Sequence, residues 1–145
     1  MHTGGAVPVR IVLESSQEGA APSMTRHTGL LYNKPKSIFI RYDEQEQQGG
    51  ESAAVGTTIR WDGQELKLIR RGAVESEQSF VAGRRTGGIY RSALAEFRLE
   101  TETTYLTVVT PQEALLPIAM EWHYQLWLSG EHAGQFQIRL TLQEE

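Results

Sequence analysis

The densest set of side chains able to do chemistry in this sequence is basic. Between Leu66 and Ser92 the chain reads LKLIRRGAVESEQSFVAGRRTGGIYRS, placing Lys67 and the arginines Arg70, Arg71, Arg84, Arg85 and Arg91 against Glu75 and Glu77. A guanidinium is a planar, permanently charged fork that grips carboxylates or phosphates through two parallel hydrogen bonds, so the chemistry suggested is anion recognition. Solvated surface arginines would give the same composition. Gly83 to Gly88, GRRTGG, has the glycines of a phosphate loop but lacks the Gly-Lys-Ser/Thr ending and a following helix; a tight β-turn explains it better. His2, His27, His123 and His132 show no pair at metal-ligand spacing, and zinc needs three or four converging ligands, so no metal is expected. Ser15, Ser16, Ser76 and Ser79 stand outside any Gly-x-Ser-x-Gly context. Neighbouring carboxylates such as Asp43 and Glu44 alternate faces on a strand and are expected to be ordinary solvent charges. No acid, base or nucleophile set converges, so neither catalytic residues nor a cofactor are expected.

Composition narrows the setting for these residues. A chain of 145 residues suits one domain with a real core, expected to span 1–145 with residues 1–5 disordered. Its 14 Lys and Arg against 18 Asp and Glu give a net charge of -4, which argues against nucleic acid or a membrane surface as the partner of the whole molecule. The absence of cysteine excludes disulfides and fits a reducing compartment. The opening MHTGGAVPVRIVLES lacks the basic region and apolar run of a signal peptide, and no window approaches the ~18 apolar residues of a membrane span. A cytoplasmic location is expected.

The elements that must position the arginines are strands, because apolar residues alternate at period two. Val7, Val9, Ile11 and Leu13 share one face, as do Ile38, Ile40 and Tyr42, and Val55, Thr57, Ile59 and Trp61. The clearest strand is Ile118 to Leu128, with Met120, Trp122, Tyr124 and Leu126 facing one way and Glu121, His123 and Gln125 the other. Phe136, Ile138, Leu140 and Leu142 continue the pattern. Turns are expected at SSQEGAAPS, Asp62-Gly63, QQGGES, RRGAVES, RRTGG, TPQEAL and Ser129-Gly130. About ten short strands joined by such turns predict an all-β fold, an antiparallel meander β-barrel, since closure removes exposed edges. Around the arginines, the expected register sets Leu68 opposite Phe80, Leu66 opposite Ala82 and Arg70 opposite Gln78. A second hairpin through Thr86-Gly87-Gly88 would set Arg84 opposite Tyr90. This geometry spreads the five arginines apart, with Arg71 and Arg85 outward and Arg70 continuing the inward face of Leu66 and Leu68.

One set of residues carries a resemblance. Ile69-Arg70-Arg71-Gly72-Ala73-Val74, then Phe80, Gly83 and Tyr90, resembles the signature of the YwiB-like family of small bacterial proteins, and the strand pattern from Arg26 to Leu142 agrees with it. The resemblance implies a calycin-like, lipocalin-like β-barrel and brings no activity or catalytic residues with it. The family usually has a glycine at the turn before the next strand, where this chain reads Ala93-Leu94-Ala95-Glu96.

Two functional readings follow. In the first, the barrel binds a small hydrophobic or anionic molecule in or at its mouth, with Arg70, Arg84, Tyr90, Trp122 and Tyr124 as the contacts. In the second, the aromatics fill the interior and the barrel is a structural or protein-interaction module. Single-stranded RNA binding would need arginines and aromatics on one exposed face. A homo-oligomer is expected only weakly, through apolar residues of Val108 to Leu116. A cavity of a few hundred cubic ångströms inside the barrel would separate the first reading from the second.

Overall fold

A computed structural model of the protein describes residues 5–48 and 51–145, apart from the side chains of 45–48 and 51–53. Ten strands follow one another: β1 (Ala6–Gln17), β2 (Ser23–Asn33), β3 (Ile38–Gln48), β4 (Glu51–Trp61), β5 (Glu65–Gly72), β6 (Val74–Val81), β7 (Arg85–Ser92), β8 (Glu96–Val109), β9 (Ile118–Leu128) and β10 (Glu131–Glu144). Each pairs antiparallel with its sequence neighbours, and β1 pairs with β10, closing a barrel. The meander barrel expected from the alternation is therefore the fold. Its strands run 8–14 residues, longer than expected. The reason is that ladders continue into stretches rich in turn formers: Ser15, Ser16 and Gln17 stay paired with Ile138, Gln137 and Phe136. The disorder expected of residues 1–5 falls outside the described residues, Gly5 excepted, as do Gly49 and Gly50 of the QQGGES turn.

Local chemistry sets the turns. At Ser129-Gly130 both residues have positive φ, 47° and 91°, the mirror-image turn whose twist matches a hairpin. Asp62 Oδ1 accepts the backbone N–H of Gln64 at 2.9 Å and of Glu65 at 2.8 Å, closing the β4–β5 turn over Gly63. Where the family usually has glycine, the Ser92 hydroxyl accepts the N–H of Leu94 and of Ala95, both at 3.2 Å. A serine side chain thus does the work of a special backbone conformation.

Two expectations around the arginines are corrected. Leu66 lies opposite Phe80, Leu68 opposite Gln78 and Arg70 opposite Ser76, two residues from the expected register. Parity survives, so the same side chains face inward. The shift arises because the chain reverses at Gly72-Ala73 with Gly72 at φ 136°, a tighter exit than the loop expected. Gly72 also pairs with Val55, and a Cβ on it would sit 2.5 Å from the carbonyl oxygen of Ala54. Gly72→Ala should therefore cost about 1–2 kcal/mol in denaturant melts through backbone strain, whereas Gly83→Ala, whose Cβ meets nothing within 4 Å, should cost less despite its φ of 75°.

The second correction concerns Thr86-Gly87-Gly88, which is strand and not turn. The chain reverses at 82–84, where the Arg84 N–H donates to the Val81 carbonyl at 2.9 Å. Gly88 instead lets β7 press against the Glu77 carbonyl, a contact no Cβ would tolerate. Tyr90 consequently faces Ser76 and Phe97, and Arg84 is not its partner.

The inward faces make one apolar core. Val9, Ile11, Leu31, Ile40, Ile59, Leu66, Phe80, Ile118, Met120, Leu140 and Leu142 are sealed from solvent, with Tyr42 and Trp122 nearly so. Burial at this scale, roughly 25 cal/mol per Å² of apolar surface, is what holds ten strands around one axis. Leu115 and Leu116, expected on an apolar contact patch, pack against this core, while Val109 and Ala114 of that segment are exposed.

Candidate functional site

The register builds a row of inward side chains across six strands. Tyr42 on β3 faces Thr57 on β4, then Arg70 on β5, Ser76 on β6, Tyr90 on β7 and Phe97 on β8. Apolar residues dominate the core beside it, so this row is where the interior turns polar. Arg70 Nη2 donates to Glu44 Oε2 at 2.7 Å, with about a fifth of each side chain exposed (19% and 18%). The Tyr42 hydroxyl also hydrogen-bonds Glu44, and burial, followed by the Glu44 charge, holds that phenol well above its ordinary pKa. Thr57 is buried, and its hydroxyl makes no hydrogen bond among the described residues. The cluster can present a guanidinium and two hydroxyls, but the guanidinium already grips a carboxylate: Glu44, expected as a solvent charge, points inward because it shares the parity of Tyr42 on β3.

The other expected site residues are dispersed. Trp122 and Tyr124 lie inside, each against Phe80 with ring centroids 5.6 and 4.9 Å away, and Tyr124 stacks on Phe136 at 5.3 Å. Burial raises the Tyr124 phenol pKa, and the Trp122 indole nitrogen has no hydrogen-bond partner among the described residues. Tyr90 packs on Phe97, centroids 6.0 Å apart. Arg84 is exposed on the β6–β7 turn, where its backbone pairs with Thr103. Arg70 and Tyr90 are thus brought into one row, Trp122 and Tyr124 into an aromatic cluster, and Arg84 into neither. The remaining arginines disperse as well: Arg71 is exposed, Arg85 lies 3.8 Å over the Trp127 ring and 3.2 Å from Glu100, and Arg91 contacts Glu96 and Glu75.

Sequence reasoning missed a second cluster, on the outside. Glu121 Oε1 accepts from Arg139 Nε at 3.1 Å and Nη2 at 2.9 Å, while its Oε2 lies 2.7 Å from His123 Nε2. These bonds, Arg139 first and His123 second, hold the Glu121 carboxyl below the usual range. Tyr105 stacks on His123 with centroids 4.7 Å apart. Two clefts meet beside it, of about 430 and 420 Å³, sharing Ser16 and Gln137 on their walls, and the second also reaches Tyr124 and Phe136. Glu121 and His123 were legible as same-face neighbours. The Tyr105 contact was not, because a bulge between Thr103 and Tyr105 sets it opposite His123. Among the described residues no three of His, Asp and Glu gather to hold a metal, and no helix is long and apolar enough to cross a membrane.

The comparisons with known proteins agree with this architecture. The chain is 28% identical over 99 residues to the "Uncharacterized beta-barrel protein YwiB" of Bacillus subtilis (strain 168), covering 68% of this chain and 67% of that protein. The crystal structure of the ywiB protein from Bacillus subtilis superposes with a TM-score of 0.80 at 23% identity, covering 97% of this chain and 93% of that one. The model of the DUF1934 family, a domain of unknown function, matches residues 9–140, and the chain belongs to that family.

Proposed function

We propose that the protein is a binding module that works through the outside of its barrel, the interior serving as a packed support. The observation that carries this reading is the aromatic cluster of Phe80, Trp122, Tyr124 and Phe136, which occupies the space where a lipocalin-like barrel would hold a ligand. The five clefts described, 330–600 Å³, are each lined by residues of adjoining strands or strand ends; one reaches Tyr124 and Phe136 of the aromatic cluster and another Tyr42 and Thr57 of the polar row.

The competing reading, a small hydrophobic or anionic molecule at the mouth, draws support from the polar row at Arg70, with Tyr90 two strands away. An anion there would have to displace Glu44 from Arg70, giving up a charge-assisted bond of 2.7 Å. Thermal melts with medium- and long-chain fatty acids and with organic dianions separate the two. A ligand at 100 times its Kd would add about 2.7 kcal/mol of stability. The expected result is no dose-dependent shift in melting temperature. A saturable rise that is lost in Arg70→Ala or Trp122→Phe would transfer the function to the interior.

A further inference from the structure

The barrel is closed, but one seam is closed along only part of its length. β2 pairs with β3 only from Gly29–Tyr42 to Asn33–Ile38. Beyond that point β2 continues from Thr28 back to Ser23 paired with β1 alone, and β3 continues from Asp43 to Gln48 paired with β4 alone. The strands part where the His27 and Tyr42 rings meet, centroids 4.8 Å apart. The result is a wedge with a strand edge on each side. On the β2 side, Ser23 to Thr28 are exposed except for a half-buried His27. Edges of this kind pair with any extended chain offered to them, and natural sheets generally blunt them with proline, bulges or charge. Ser23 to Thr28 contains no proline and no bulge in its ladder with β1.

Charge says what would fit. On the outer face beside the wedge, Arg26 lies opposite Val12, Arg10 opposite Thr28, and Arg41 opposite Leu30. Outer clefts of about 490 and 330 Å³ lie on either side of the Thr28 backbone, one walled by Arg10, Val12 and Arg26, the other by Leu30, Tyr32, Arg41 and Asp43. Arg60, Arg85, Arg91 and Arg139 each lie on a carboxylate. Arg26 and Arg41 form no ion pair among the described residues. Glu144 and Glu145 share a cleft with Arg10, Asp43 shares one with Arg41, and Glu14 lies opposite Met24, which leaves Arg26 as the cation beside the open edge with no carboxylate in its cleft.

We infer that the β2 edge from Ser23 to Thr28 is a docking site for an extended acidic peptide of a partner protein, added as a further strand in the wedge. This rests on the outer-surface reading of function and names the surface and partner class. Main-chain hydrogen bonds to alternate residues of β2 supply affinity, and side-chain alternation supplies specificity. Every second side chain of the peptide would face outward, where glutamates or aspartates meet Arg26 and Arg41. The intervening side chains would lie over His27 and Tyr42, which favours apolar residues. A second copy of this chain fits less well, because a two-fold β2–β2 pair puts the arginines of both molecules on one face.

Hydrogen exchange resolved by residue tests the site. Labelled protein is mixed with a short capped peptide alternating glutamate and valine, with its lysine–valine counterpart, and with oligouridylate. The expected result is at least tenfold slower exchange at alternate amides of 23–28 with the glutamate peptide alone, abolished in Arg26→Glu, an exposed change that leaves the core intact. Absence of protection, or equal protection by the lysine peptide, overturns the inference. Protection by oligouridylate alone would assign the face to RNA, and protection without peptide in a protein that light scattering shows to be dimeric would assign it to a second copy; both overturn it too. None of these failures touches the fatty-acid melts, which judge the outer-surface reading independently.

Discussion

Trp122→Ala should lower stability by ~3–5 kcal/mol, the range for truncating a large buried aromatic that leaves a cavity behind. Trp122 is 2% exposed, contacts Phe80 and sits between Leu106 on β8 and Ile138 on β10. Its ring packs on Phe80 from across the interior while its backbone is laddered to β8 and β10, so neighbouring strands cannot collapse into the gap without breaking those ladders. The control is one turn of the pleat away. Gln125 lies on the opposite face, its carboxamide oxygen 2.9 Å from His132 at the surface, and Gln125→Ala should cost less than about 0.5 kcal/mol. Urea melts of the two variants check this. Equal losses would mean that β9 does not present Trp122 to a packed interior.

The Arg70–Glu44 pair gives the second large effect. Arg70→Ala should cost roughly 2–3 kcal/mol, because it leaves a half-buried carboxylate, tied to the Tyr42 hydroxyl, without its counter-charge. That is somewhat below the 3–5 kcal/mol of a fully buried pair, since water reaches about a fifth of each side chain. Replacing both partners separates a structural pair from a surface contact. Arg70→Met with Glu44→Leu removes both charges while keeping volume, and should recover at least half of the loss, the remainder being the orphaned Tyr42 hydroxyl. Additive losses in the double variant would show that the two side chains are not coupled.

The sequence carried the fold because alternation survives local error. Val9–Ile11, Ile38–Ile40, Met120–Trp122 and Leu140–Leu142 each present period-two apolar pairs, and all face inward. Even the misplaced β5–β6 register was off by two residues, a shift that leaves every side chain on its own face. What was illegible depended on backbone geometry that composition does not encode. The tight exit at Gly72 set the true register, and in RRTGG, which is strand and not turn from Arg85 onward, Gly88 serves close strand approach. The site was less legible than the fold. Arg70 could be placed inward from its strand, but Glu44 lies 26 positions earlier, and only the β3–β4–β5 register brings the two together. The outer cluster of Glu121, His123, Arg139 and Tyr105 likewise needs three strands and a bulge to assemble. The parting of β2 from β3 coincides with a loss of apolar alternation, since Ser23–Thr28 reads SMTRHT and Asp43–Gln48 reads DEQEQQ, but a polar run of this kind is equally compatible with strands that stay paired.

The central claim, a packed interior beneath a recognition surface, is tested most directly by the indole N–H of Trp122. That group is buried within the barrel and has no hydrogen-bond partner among the described residues, so any molecule entering the interior would change its surroundings. In ¹⁵N-labelled protein titrated with fatty acids and organic dianions, the account predicts that the Trp122 indole resonance stays where it is. The glutamate–valine peptide should meanwhile move backbone resonances of 23–28. A saturable shift of the Trp122 indole with any of the small ligands would contradict it.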